Sequence, residues 1–116
     1  MHASARKLEE TDWQAVVSLY DRLMETAPSP VVALNRAIAI AQRDGAGRGL
    51  EELQALADRD RLSNYPFYPA ALGELELRRG HRHIARKHFQ AALRVARNGT
   101  ERRFFEKRLR SCGGDA

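Results

Sequence analysis

The sequence predicts an all-α protein of about six helices, folded back as stacked antiparallel hairpins into a right-handed α–α superhelix. Three observations lead there. Apolar residues recur at three- and four-residue intervals through nearly the whole chain, the mark of helices with one buried face. Capping and breaking residues at Ser29-Pro30, Gly45, Gly80 and Asn98-Gly99 cut that pattern into helix-sized pieces. No segment shows the strict alternation of a half-buried strand.

The first helix is expected to start at Thr11, which stands three residues before Gln14 with the spacing of a capping box. Trp13, Val16, Val17, Tyr20, Leu23 and Met24 form its apolar stripe, and Pro28 stops it. Ser29 and Pro30 suit the N-cap and first helical position of a second helix, where a missing N–H does no harm. Val31, Leu34, Ala37, Ile38 and Ala41 make this helix the most buried, and Gly45 ends it. A third helix is expected from about Arg48 to Asp58 on Leu50, Leu53, Leu56 and Ala57, followed by a connection around Ser63 and Asn64. The fourth runs from near Pro66 to Gly80 with its prolines in the first turn. The fifth covers about Arg82 to Arg97, with Ile84, Ala85, His88, Phe89, Ala92, Leu93 and Ala96 inward. Thr100 is expected to cap a sixth, carrying Phe104, Phe105, Leu109 and Cys112. Residues 1–10 then form a flexible N-terminal segment, residues 11–112 one helical domain, and residues 113–116 a frayed tail.

Composition narrows the function classes. A 116-residue chain with 43% hydrophobic and 30% charged residues has the balance of a globular domain rather than a disordered segment. No apolar run approaches the roughly 20 residues that cross a bilayer, and the N-terminal stretch lacks the apolar core of a secretory signal. One cysteine, Cys112, forms no internal disulfide. A cytoplasmic location without membrane contact is therefore expected. The net charge of +5 is unevenly spread. Residues 1–77 carry 8 Lys/Arg and 12 Asp/Glu, a local −4, whereas residues 78–116 carry 12 and 3, a local +9. Such a basic half suits phosphates or an acidic protein, and equally an ordinary solvated helix face.

The stretch from Pro69 to Ala96 resembles a tetratricopeptide (TPR) repeat. Leu72-Gly73 matches the Leu-Gly step of the repeat's first helix, Gly80 its turn, and Ala85, Phe89 and Ala92-Leu93 the small-large-small pattern of its second. The hairpin from Pro30 to Ala57 follows the pattern loosely, with Ala37-Ile38 in place of the Leu-Gly step. The first helix corresponds to the second helix of a preceding repeat. More specifically, Thr11-Asp12-Trp13, Leu19-Tyr20-Asp21, the run from Pro28 to Ala37 (PSPVVALNRA) and Glu101-Arg102-Arg103-Phe104 resemble the TPR-like C-terminal extension of bacterial extracytoplasmic-function sigma factors. The resemblance extends from Thr11 to about Leu109. It implies a regulatory, protein-binding role in transcription initiation, with the sigma regions, RNA polymerase or a regulator as partner. Promoter recognition in that family belongs to regions that nothing here resembles, so Met1 is expected to open an excised piece or a truncated reading frame.

No phosphate loop, nucleophile elbow or Cys–His pairing is present, and a non-enzyme without cofactor is expected. His81, His83 and His88 lack the converging partners of a metal site. Trp13 at a helix start in an apolar stripe reads as core. If the first helix of each hairpin lines a concave groove, as the TPR resemblance implies, Asn35, Ala39, Gln42 and Arg43 face a partner from the second helix. Phe67, Ala70, Glu74 and Arg78 do so from the fourth. Asn35, an amide in so apolar a helix, should find a hydrogen-bond partner. It either clamps a bound peptide backbone or caps a neighbouring loop. Asn35→Asp and Arg43→Glu are accordingly expected to weaken partner capture. A second possibility is auxiliary nucleic-acid binding through Arg82, Arg86, Arg94, Arg97, Arg102, Arg103 and Arg108, although no aromatic residues alternate with them as a stacking platform requires. A third is a free-standing scaffold, monomeric or weakly dimeric through its end helices.

Overall fold

In the computed structural model, which describes residues 11–113, the all-helical class expected from the sequence is the one found. The described residues form six α-helices and one 3₁₀ turn: α1 Trp13–Thr26, α2 Pro30–Asp44, α3 Ala46–Gln54, the 3₁₀ turn Arg59–Leu62, α4 Phe67–Arg78, α5 Arg82–Arg94 and α6 Gly99–Ser111. The expectations for residues 1–10 and 114–116 lie outside the described residues. No helix among the described residues is long and apolar enough to cross a membrane.

Each helix packs on its neighbours in sequence, and α2 also meets α4 and the 3₁₀ turn. That is how hairpins stack, because short connections turn consecutive helices antiparallel. Three apolar clusters hold the stack together. Val17 of α1 meets Ala39 and Ile40 of α2, with half-buried Trp13 packed alongside. Leu34, Ala37 and Ala41 of α2 meet Leu50 and Leu53 of α3, Leu62, and Ala71 and Leu75 of α4. Ala70, Ala85, Phe89, Ala92, Phe105 and Cys112 join α4, α5 and α6. Phe89 and Phe105 are wholly buried, each worth roughly 1.5–3 kcal/mol relative to exposure.

Local chemistry explains the helix ends, and it corrects several expectations. Asp12, not Thr11, caps α1, its Oδ1 accepting the Ala15 N–H at 3.0 Å. The Gln14 side chain meanwhile donates to Ser18 and accepts from Arg43, so it forms no capping box with Thr11. Ser29 caps α2 as expected, accepting from Val32 N–H, with Pro30 at the first position. Asn98 rather than Thr100 caps α6, its Oδ1 accepting from Glu101 N–H at 2.9 Å. Helix α3 begins earlier and ends sooner than Arg48–Asp58. Gly45, at φ 106°, takes a conformation closed to other residues and lets α3 start with no linker after α2. At the far end Arg59 donates to the carbonyls of Gln54 and Leu56, and the Tyr68 hydroxyl to that of Leu53. Those side chains satisfy carbonyls that another helical turn would have used. Helix α5 likewise stops at Arg94, short of Arg97, and Ile84, expected inward, is exposed, since its neighbour Ala85 takes the buried face.

Charged side chains brace the first three helices. Arg36 of α2 donates to Asp21 of α1 at 2.6 Å and to Glu52 of α3 at 3.3 Å, and Arg48 also holds Glu52 at 2.6 Å.

Candidate partner-binding groove

Between α2, α4 and α6 lies a groove of about 280 Å³. Leu34, Asn35 and Ile38 form the α2 wall, Phe67, Ala70, Ala71 and Glu74 the α4 wall, while Tyr65 and Phe104 close the ends. The rings are mutually supported: Tyr65 and Phe105 each stand 5.7 Å from Phe67, and Phe104 stands 5.5 Å from Phe105. Such tilted and edge contacts suit the ring quadrupoles. Phe104 nonetheless leaves 46% of its surface exposed, unusual for so large an apolar residue.

Asn35 is half-buried in this wall, and its amide hydrogen-bonds to no described residue. The loop-capping bond, one of the two alternatives for it, is thus missing among the described residues. A donor and acceptor pair faces the groove instead. The carboxylate of Glu74 is held differently. Arg108 of α6 grips it with two bonds, Nε to Oε2 at 2.6 Å and Nη2 to Oε1 at 2.9 Å, and its guanidinium lies 5.8 Å from the Phe89 ring. Arg97 stands over Tyr65 at 5.5 Å and Phe67 at 5.9 Å while binding both oxygens of Glu101. The Arg97 side-chain hydrogen bond, followed by its backbone N–H, holds the Glu101 carboxyl below its ordinary range.

The other predicted groove residues divide. Gln42, seven residues beyond Asn35, continues the same face of α2 and is exposed. Arg78 extends the Phe67–Glu74 face of α4 past the groove and is also exposed. Ala39 is instead buried against Val17. Arg43 turns toward α1, donating to Gln14 at 2.6 Å, with its remaining bonds to Asp44. At 3.6 residues per turn, Arg43 sits about 80° around the helix from Asn35. Neither Arg43 nor Ala39, about 40° around from Asn35, lines the groove. Tyr65, Leu34, Ile38 and Phe104 are lining residues that spacing did not single out. The adjacent Phe104 and Phe105 were a signal, since neighbours on a helix cannot both face the core.

The basic half is less available than its charge suggests. Arg86 donates to the Cys112 carbonyl at 3.3 Å, and Arg97 and Arg108 are paired as described. Arg103 reaches Thr100, while Arg82, Arg94 and Arg102 are exposed. His81 Nδ1 is hydrogen-bonded to Glu76 at 2.7 Å, and burial lowers the pKa of His88 against the pull of Glu76. A wider cleft of about 550 Å³ opens between α1, α2 and the end of α3, lined by Met24, Pro28, Ala33 and Leu56 with the Asp21–Arg36–Glu52 bridge across it. Leu19 and Leu23 of α1 are exposed apolar side chains at one end of the stack.

No protein-family model matches the chain, and neither does any solved structure. An uncharacterized protein of Rhizobium meliloti (strain 1021) is 37% identical over 109 residues. The alignment covers 94% of this chain and 25% of that protein, so the chain spans about a quarter of its relative's length.

Proposed function

We propose that the chain is a non-catalytic protein-interaction module that takes up a segment of a partner protein along the groove between α2, α4 and α6. Its setting is transcription initiation in the cytoplasm, as the regulatory extension of an extracytoplasmic-function sigma factor, with sigma regions, RNA polymerase or a regulator as partner. The carrying observation is the Asn35 amide, without a hydrogen-bond partner among the described residues, in an apolar groove. The Asn35 amide atoms stay open to the groove, and a peptide backbone offers both the acceptor and the donor that would replace their water. The alignment to one quarter of a longer relative supports the role of a part within a larger protein.

The test is a titration of the parent protein's sigma regions, and of core polymerase, onto the labelled chain. Asn35→Asp and Phe104→Ala should each weaken binding about tenfold, near the 1–2 kcal/mol of a hydrogen bond or partly buried ring. Arg43→Glu, outside the groove, should leave affinity unchanged. Equal binding by all three variants removes the groove reading.

A further inference from the structure

The groove also indicates what kind of segment it receives. Resting on the protein-capture reading above, we propose that the bound segment is an acidic peptide with one aromatic or branched aliphatic side chain seated against Phe104, Ile38 and Phe67. Size points to a side chain and its backbone, because 280 Å³ lies just below the roughly 300–1,000 Å³ of drug-sized ligand sites. Polarity supplies the register: the Asn35 amide stands beside the apolar floor, where it meets the backbone on either side of the anchor.

Charge supplies the sign. Both carboxylates at this groove, Glu74 and the nearby Glu101, are already neutralised by Arg108 and Arg97. Helix α6, which brings Phe104, carries five Lys/Arg against two Glu. Arg78 continues the α4 face beyond Glu74. Those two ion pairs carry no net charge, so a segment entering here meets the field of exposed Arg78 and of Arg102, Lys107 and Arg110 on α6. That field favours carboxylates flanking the anchor and repels lysines. A single-stranded nucleic acid would also meet these cations, but it needs open ring faces. Arg97 covers Tyr65 and, with Phe105, Phe67, which leaves Phe104 as a single exposed ring in the lining where successive bases need several.

Fluorescence anisotropy with the full 116-residue chain tests this. The probes are labelled hexapeptides with one central Phe flanked by Asp/Glu, by Asn/Gln or by Lys, together with a labelled oligothymidylate. The acidic peptide should bind about tenfold more tightly than the Asn/Gln peptide at physiological salt. Arg78→Glu should erase most of that preference, and Phe104→Ala should weaken both peptides. Circular dichroism confirms that each variant is folded. Equal affinity for acidic and neutral peptides, both still sensitive to Phe104→Ala, overturns the acidic assignment and leaves the groove reading standing. Indifference of all peptides to Phe104→Ala, or no peptide binding, overturns both. Tighter binding of the oligothymidylate than of the acidic peptide overturns the proposal in favour of nucleic acid.

Discussion

Gly47, Gly49 and Gly73 all lie within helices, yet a methyl group added to each would meet a different neighbourhood. At Gly49 it would collide with the Ala41 side chain, standing 3.1 Å from the Ala41 Cα and 3.0 Å from Leu75 Cδ1. At Gly73 it would press on the wholly buried Phe89 ring at 3.0 Å. At Gly47 it would find open space. Gly→Ala normally stabilises a helix by roughly 0.5–1 kcal/mol, whereas overpacking costs about 1–3 kcal/mol. Urea denaturation should therefore show Gly47→Ala more stable than the parent by about 0.5 kcal/mol. Gly49→Ala and Gly73→Ala should each be less stable by about 1–3 kcal/mol. A stabilised Gly49→Ala would contradict the close α2–α3 approach. Gly73 was legible as a packing glycine because it sits in a Leu-Gly step four residues beyond Pro69. The neighbour that crowds Gly49, Ala41, belongs to another helix, and only the folded hairpin brings them together.

At the scale of the element, the α5–α6 junction depends on Glu101. Its side chain accepts from the Arg97 backbone N–H as well as the guanidinium, while Asn98 caps the helix that Glu101 helps open. A carboxylate in the first turn also meets the positive end of the helix. Because Arg97 depresses the folded-state pKa of Glu101 below its ordinary 4.5, the unfolded chain binds the proton more readily. The stability contributed is complete above about pH 4.5 and is lost as pH falls through the lower folded value. Thermal melts should show Glu101→Gln less stable than the parent at pH 7, with the difference narrowing toward pH 3. A constant difference across that range would assign Glu101 no ionic role. The helices themselves were readable from apolar spacing and from Ser29, Pro30, Gly45 and Gly80. The ends of α3 and α5 were not, because tertiary partners such as Arg59 and Tyr68 decide where α3 stops. Nor does local sequence choose between Asp12 and Thr11, or Asn98 and Thr100, since each pair offers two competent caps one or two residues apart.

Across the whole molecule, the division into an acidic first part and a basic second part does not become a continuous phosphate-binding face. Of the seven arginines that sequence spacing offered for nucleic acid, Arg86, Arg97 and Arg108 are committed to Cys112, Glu101 and Glu74. Arg82 and Arg94 stand at opposite ends of α5, about 18 Å apart at 1.5 Å per residue. The groove was half-legible for the same reason: repeat spacing identified Asn35, Phe67 and Glu74, but the ion pairs and the place of exposed Phe104 beside α4 arise only when α6 docks. With those three committed, four of the seven, Arg82, Arg94, Arg102 and Arg103, remain available to phosphates. Each contact contributes about −0.9 to the slope of log affinity against log salt for duplex DNA. In salt titrations with a labelled duplex, replacing those four by Gln should therefore flatten the slope by at most about 4, whereas Arg97→Gln and Arg108→Gln should leave it unchanged. A slope that flattens on replacing Arg97 and Arg108 would require both to leave their carboxylates. Glu74 would then be uncovered in the groove, and the basic half rather than the groove would be the working surface.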